Sequence, residues 1–138
     1  VKDNYFDVIV CFDALEHCCY PTKVMEEIIR VGKKRGLFIG SMPNEYNIYL
    51  RVLFMAGILT EVKKPFTILP DHVQHIHNPR VEDIISFFDK YVEIIKIKPI
   101  WHSRSFKKLD GLMSLACRIY PSLFSRGVIV IGNLRQNL

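Results

Sequence analysis

Short apolar runs and helical repeats alternate along this chain. Phe6–Cys11 (FDVIVC) is rich in β-branched residues and apolar on both faces, which predicts a buried strand. Apolar positions then recur at Val24, Ile28 and Val31, spaced i, i+4, i+7, beside Met25 and Ile29. That spacing predicts a helix opened by Pro21 and Thr22 and closed at Gly32. Leu37–Met42 (LFIGSM) reads as a second buried strand, stopped by Pro43. Asn44 is placed to cap a second helix running to about Ala56, apolar nearly all round, with Arg51 its main charge. Lys63–Pro70 reads as loop. Pro79 suits the first turn of a third helix whose buried side is Val81, Ile84, Ile85, Phe87 and Phe88. Val92–Ile97 sets Val92, Ile94, Ile95 and Ile97 against Glu93, Lys96 and Lys98, as a strand nearer a sheet edge would. Leu109–Ile119 reads as a helix that ends at Pro121, and Gly127–Gly132 (GVIVIG) as a final buried strand.

This order of elements implies an α/β fold with right-handed crossovers. Its sheet is mostly parallel and covered on both faces, with the last two strands pairing antiparallel at one edge. The 138 residues make one domain or less. With 49% apolar and 24% charged residues the chain can bury a core, which excludes a disordered segment. The net charge of +5 permits an anionic ligand. The basic residues are scattered without aromatic interleaving, so no nucleic acid is expected as a partner, and Lys107 and Lys108 read as a solvated helix start. Val52–Thr60, the longest charge-free central run, falls far short of the roughly 20 apolar residues of a membrane span. Cys11, Cys18, Cys19 and Cys117 make no CxxC pair and no zinc spacing, as expected for reduced thiols in a cytoplasmic protein. His72, His75 and His77 form H-x-x-H-x-H, which is not a standard zinc pattern, so no metal is expected and these read instead as surface or loop-bracing histidines unless His72 or His75 faces an acceptor. The chain opens on Val1 rather than Met, and the expectation is a piece of a longer protein.

Ligands of such sheets bind beyond the carboxyl ends of the strands, which directs attention to the residues after Cys11 and after Met42. Those two places carry a pattern. FDVIVCFDALEH, from Phe6 to His17, resembles the fourth-strand motif of class I S-adenosylmethionine-dependent methyltransferases. Pro21, Val24, Glu27, Arg30, Val31 and Gly36 fall where that family has its "P..vL.E..RVLKPGG" helix and turn. Ser41-Met42-Pro43-Asn44 matches its "S.PN" ending of the fifth strand. His72-Val73-Gln74-His75 and the helix after Pro79 are similar to a segment of the methyltransferase-11-like group, and GVIVIG to the last, antiparallel strand. The MetW family of methionine biosynthesis shares a related RVG…PN pattern. The chain departs from the family in two ways. No glycine-rich G-x-G-x-G loop is present, and Lys34-Arg35 stands where Pro-Gly is usual, so the turn after the helix should differ.

The resemblance implies the C-terminal part of one class I methyltransferase domain over residues 1–138: a partial Rossmann-like sheet whose N-terminal strands are missing. It implies S-adenosylmethionine as cofactor and methyl transfer to a small-molecule, sugar or lipid-linked acceptor. Mapped onto this chain, Cys11, Phe12, Asp13 and Ala14 bind cofactor, and Asn44 and Tyr46 contact the acceptor. His17, His72 and His75 are the candidate catalytic bases. Other readings stand beside these. Glu16 and His17 could cap the following helix, and Asn44 could cap its own. The Ile48–Leu59 helix could pack in the core, or it could form a lid or a peripheral membrane contact with Arg51, Lys63 and Lys64 near anionic headgroups. The rival to an enzyme is a truncated non-catalytic remnant, or a binding subunit whose cofactor site is completed by a partner, an N-terminal segment or a second copy.

Overall fold

The computed structural model describes residues 1–57, 76–101 and 110–135. In chain order it gives β1 (Phe6–Phe12), α1 (Pro21–Val31), β2 (Gly32–Pro43), α2 (Ile48–Met55), α3 (Val81–Asp89), β3 (Val92–Ile100), α4 (Asp110–Ile119), α5 (Pro121–Phe124) and β4 (Gly127–Leu134). A short 3-10 turn, Leu15–His17, follows β1.

The strands form one sheet in the order β1-β2-β4-β3. β1 and β2 are parallel, joined through α1. β4 runs antiparallel to both β2 and β3, so β1, β2 and β3 share one direction and β4 alone is reversed. The last two strands therefore pair antiparallel at one edge of the sheet, as expected, with the final strand on the inner side between β2 and β3. β3 holds the margin, as its alternating pattern predicted. The adjacent apolar pair Ile94-Ile95 breaks strict alternation. The chain resolves this with a bulge between Ile94 and Lys96, which leaves Ile95 exposed.

One face of the sheet carries the core. Phe38 and Met42 of β2, Val128, Val130 and Leu134 of β4 and Val92 of β3 are buried with Met25 and Ile28 of α1 and Val81, Ile84 and Phe88 of α3. The rings of Phe38 and Phe88 meet with centroids 5.5 Å apart. The α3 positions are those read from the sequence, whereas in α1 the buried pair is Met25 and Ile28, with Val24 and Ile29 packed against it, rather than the row Val24, Ile28 and Val31. The sheet is not covered equally on its other face. Val8, Val10 and Phe12 of β1 are 51%, 54% and 52% exposed, beside half-buried Ile39, Ile129 and Ile131. The expectation that β1 is buried on both sides is thus corrected. Only Ile9 and Cys11 pack against the core, and among the described residues β1 pairs with β2 alone.

Three local details differ from the sequence reading. Gly32 is extended (φ −77°, ψ 143°), so α1 runs straight into β2 without a left-handed cap. The left-handed residue lies three positions on, at Arg35 (φ 58°), inside the irregular start of β2, where one residue of β1 faces four of β2. The second helix is capped by Asn47, whose side-chain oxygen accepts the Leu50 N–H at 3.2 Å, and not by Asn44. α2 has no buried residue, so the core-packing reading of this apolar helix fails over Ile48–Met55. Arg30 closes the bottom of the β1–α1 unit: its guanidinium pairs with Asp3 and Glu27 and reaches the Val1 carbonyl.

Candidate functional site

The carboxyl ends of the parallel pair β1 and β2 converge on one region. Asp13, just past β1, adopts a left-handed conformation (φ 44°) that turns the chain. Ser41 holds that turn from the end of β2: its hydroxyl donates to the Asp13 carboxylate at 2.8 Å, and its main-chain carbonyl accepts the Asp13 N–H at 3.2 Å. Phe12, Asp13 and Ala14 are exposed there, while Cys11 is half-buried on the core side. Burial, then the neighbouring Cys18 thiol and the Glu16 carboxylate, push the Cys11 thiol above its ordinary range.

The chain then dives inward. Leu15 and Glu16 are fully buried, and the half-buried His17 places Nε2 3.9 Å from a Glu16 carboxylate oxygen. Neither Glu16 nor His17 caps α1. Tyr20 occupies that position and makes no side-chain cap bond, so the capping reading is corrected.

A second segment staples this turn. The Ile76 and His77 N–H groups both donate to the Glu16 carbonyl, at 2.7 and 3.1 Å. The His77 ring Nε2 lies 2.9 Å from the Cys18 carbonyl oxygen. A carbonyl only accepts, so Nε2 carries the proton, and in the neutral ring Nδ1 is the lone-pair nitrogen. Next to His77, a cavity of about 190 Å³ is lined by Pro21, Met42, Pro79, Asp83, Ile84 and Phe87. Asp83 is already committed: Arg80 donates to it from Nε at 3.0 Å and from the guanidinium NH2 at 3.1 Å, which holds the carboxyl below its usual range.

Beyond β2, Asn44 is buried. Its amide donates to the carbonyls of Ser122 and Ser125 at 3.1 and 3.0 Å, and its side-chain oxygen accepts the Tyr46 N–H at 3.1 Å. It thereby braces the end of β2 against α5. Tyr46 is exposed at the same end. The structure brings Cys11–Ala14, His17, Asn44 and Tyr46 to one end of the sheet. His72 and His75 lie outside the described residues. From the sequence, His77 stands as a metal candidate or else as a surface or loop-bracing histidine, with no partner named for it. Its bond to Cys18 joins positions 59 residues apart, and no local spacing signals that. Among the described residues no three His, Cys, Asp or Glu side chains gather as a metal site would require.

Comparison with known proteins places this geometry. The family model of a methyltransferase domain matches residues 1–40, the stretch from the chain start through α1 into β2. No curated protein sequence matches. Among solved structures, an S-adenosylmethionine-dependent methyltransferase from Thermotoga maritima superposes with a TM-score of 0.62 at 13% identity, over 98% of this chain and 59% of that one. Another, from Archaeoglobus fulgidus, gives 0.51 at 15% identity, over 96% and 61%. A Haloferax volcanii methyltransferase solved in complex with the Trm112 methyltransferase activator gives 0.50 at 15% identity, over 99% and 57%. The chain spans about three fifths of the length of these structures. At these identities the likeness shows the fold: this is the α/β fold of S-adenosylmethionine-dependent methyltransferases.

Proposed function

We propose that this chain is the C-terminal part of a methyltransferase domain, acting in S-adenosylmethionine-dependent methyl transfer within a longer cytoplasmic protein. The observation that carries the reading is the FD…LEH turn. It lies inside the stretch matched by the methyltransferase-domain model and sits at the carboxyl ends of β1 and β2. Methyl transfer asks the protein for alignment of acceptor and methyl group, while the cofactor supplies the electrophilic carbon. The exposed Phe12 and Ala14 are suited to wall the cofactor, and Cys11 and the Ser41-held Asp13 fix the backbone from which they project. That is a fit for one side of the cofactor. Tyr46 contacts the acceptor, and Asn44 holds the backbone that presents it.

Where the acceptor is a hydroxyl, a base near the turn removes its proton. His17 is the described residue suited to that step, and His72 and His75 are the candidates from the segment outside the described residues. The exposed apolar side chains of α2, Tyr49, Val52, Phe54 and Met55, favour a long or lipid-linked acceptor and a peripheral membrane contact. No helix among the described residues is long and apolar enough to cross a membrane.

The test is photolabelling of the native gene product with S-adenosylmethionine carrying a labelled methyl group. Label competed by S-adenosylhomocysteine in the peptide between Lys2 and Lys23 supports the reading. Absence of competed label there sinks it. A second reading, a binding subunit completed by a partner, is favoured by the β1 edge, unpaired among the described residues, and by a neighbour that was solved with an activator protein. It predicts that competed label appears only after the partner is added.

A further inference from the structure

The cavity beside His77 lies at the carboxyl end of β2, between the start of α1 and the buried side of α3. Its walls are Pro21, Met42, Pro79, Ile84 and Phe87, with two polar groups, His77 and Asp83. Size limits the occupant. An apolar cavity of about 150 Å³ takes up a benzene ring, so about 190 Å³ suits one ring with a small substituent. Charge limits it further. The Asp83 carboxylate is neutralised by the bidentate Arg80 guanidinium, so the site has no unbalanced charge to attract a cation. The remaining polar feature is an acceptor. His77 spends its N–H on the Cys18 carbonyl, and no hydrogen bond to Nδ1 is present among the described residues.

We infer that this cavity is a binding site for a single neutral aromatic ring bearing an O–H or N–H group, whose proton is donated to His77. The Phe87 ring on the wall favours an aromatic over an aliphatic occupant through edge contacts. The lone pair of a half-buried imidazole gains more from such a donor than it would in water. Seated here, the ligand also touches the segment that staples the turn after β1, because His77 belongs to both. That this ring is the anchor of a methyl acceptor rests on the proposed function; the binding itself does not.

The experiment is a titration of the chain, labelled with ¹³C at its methionine methyl groups, with phenol and separately with toluene. Saturable shifts of the Met42 methyl are expected with both, phenol binding roughly fivefold more tightly through its one extra hydrogen bond. In His77→Phe the two ligands are expected to bind alike. In Phe87→Trp, which fills the cavity, the Met42 response is expected to vanish while the other methionine signals keep their dispersion. The inference is overturned if the Met42 methyl fails to saturate, if wild type prefers toluene or neither ligand, or if phenol binds folded Phe87→Trp unchanged. Should His77→Phe fail to fold, the phenol-to-toluene ratio in wild type decides alone. No cofactor enters the titration, so failure of the methyl-transfer reading leaves its result standing.

Discussion

Arg35 sits in a backbone conformation that favours glycine. The resembling family has Pro-Gly at positions 34 and 35, and this chain has Lys-Arg. The turn places residue 35 in the left-handed region (φ 58°), a conformation that costs a non-glycine residue about 1 kcal/mol. The exposed side chain recovers none of that through burial. Arg35→Gly is therefore expected to raise unfolding stability by about 0.5–1 kcal/mol in urea titration; unchanged stability would mean that the turn relaxes. The cysteines report the other residue-scale effect. The Cys11 thiol is pushed up by burial and by its neighbours, and Cys117 is buried. Alkylation at mildly alkaline pH is expected to modify exposed Cys19 well before Cys11 or Cys117, read by peptide mass mapping. Asn44 and Asn47 mark where residue-level reading stops. Both are cap-type residues near a helix start, and only the carbonyls of Ser122 and Ser125, far along the chain, decide that Asn44 braces while Asn47 caps. Asn44→Ala leaves those two carbonyls without their donors and is expected to cost about 2–3 kcal/mol, against about 1 kcal/mol for Asn47→Ala.

Elements were legible where one period dominated. The stripes of α1 and α3 and the apolar runs of β1, β2 and β4 each appear near their read positions. What pattern cannot show is which strand sits beside which. β4 reads as a buried strand whether it lies at the margin or inside, and its place between β2 and β3 is set by tertiary pairing. The same holds for α2, where an all-round apolar composition is neutral between core and surface. The interior place of β4 has a checkable consequence at Gly132. A Cβ there would run into the Glu93 carbonyl oxygen and the Val92 side chain of the neighbouring β3. Backbone cannot give way without breaking the β3–β4 ladder. Gly132→Ala is expected to destabilise the chain by about 2–3 kcal/mol, seen as a lowered denaturation midpoint. A change near zero would place β4 away from β3.

Among the described residues the two faces of the sheet are covered unequally: α1 and α3 bury one face, while β1 presents Val8, Val10 and Phe12 on the other. These side chains continue a strip through Ile39 to Ile129 and Ile131, because paired residues share a face (Val10 opposite Ile39, Ile39 opposite Ile131). An apolar strip ending at a strand edge that is unpaired among the described residues offers both surface and backbone hydrogen bonds to another chain. The resemblance makes this intelligible, since the chain spans about three fifths of the neighbours that share its fold. It also sets an expectation for the chain by itself: association that deepens with concentration in sedimentation velocity, and dye binding typical of exposed apolar surface. Val8→Lys with Val10→Lys places charge on the strip and discourages edge pairing. Both positions are half-exposed, so the cost in stability is expected to stay under about 1 kcal/mol. Association should fall sharply in the double variant while the denaturation midpoint barely moves. If wild type stays monomeric at every concentration, the strip is inert. If the variant unfolds instead, β1 is packed more tightly than its exposure indicates.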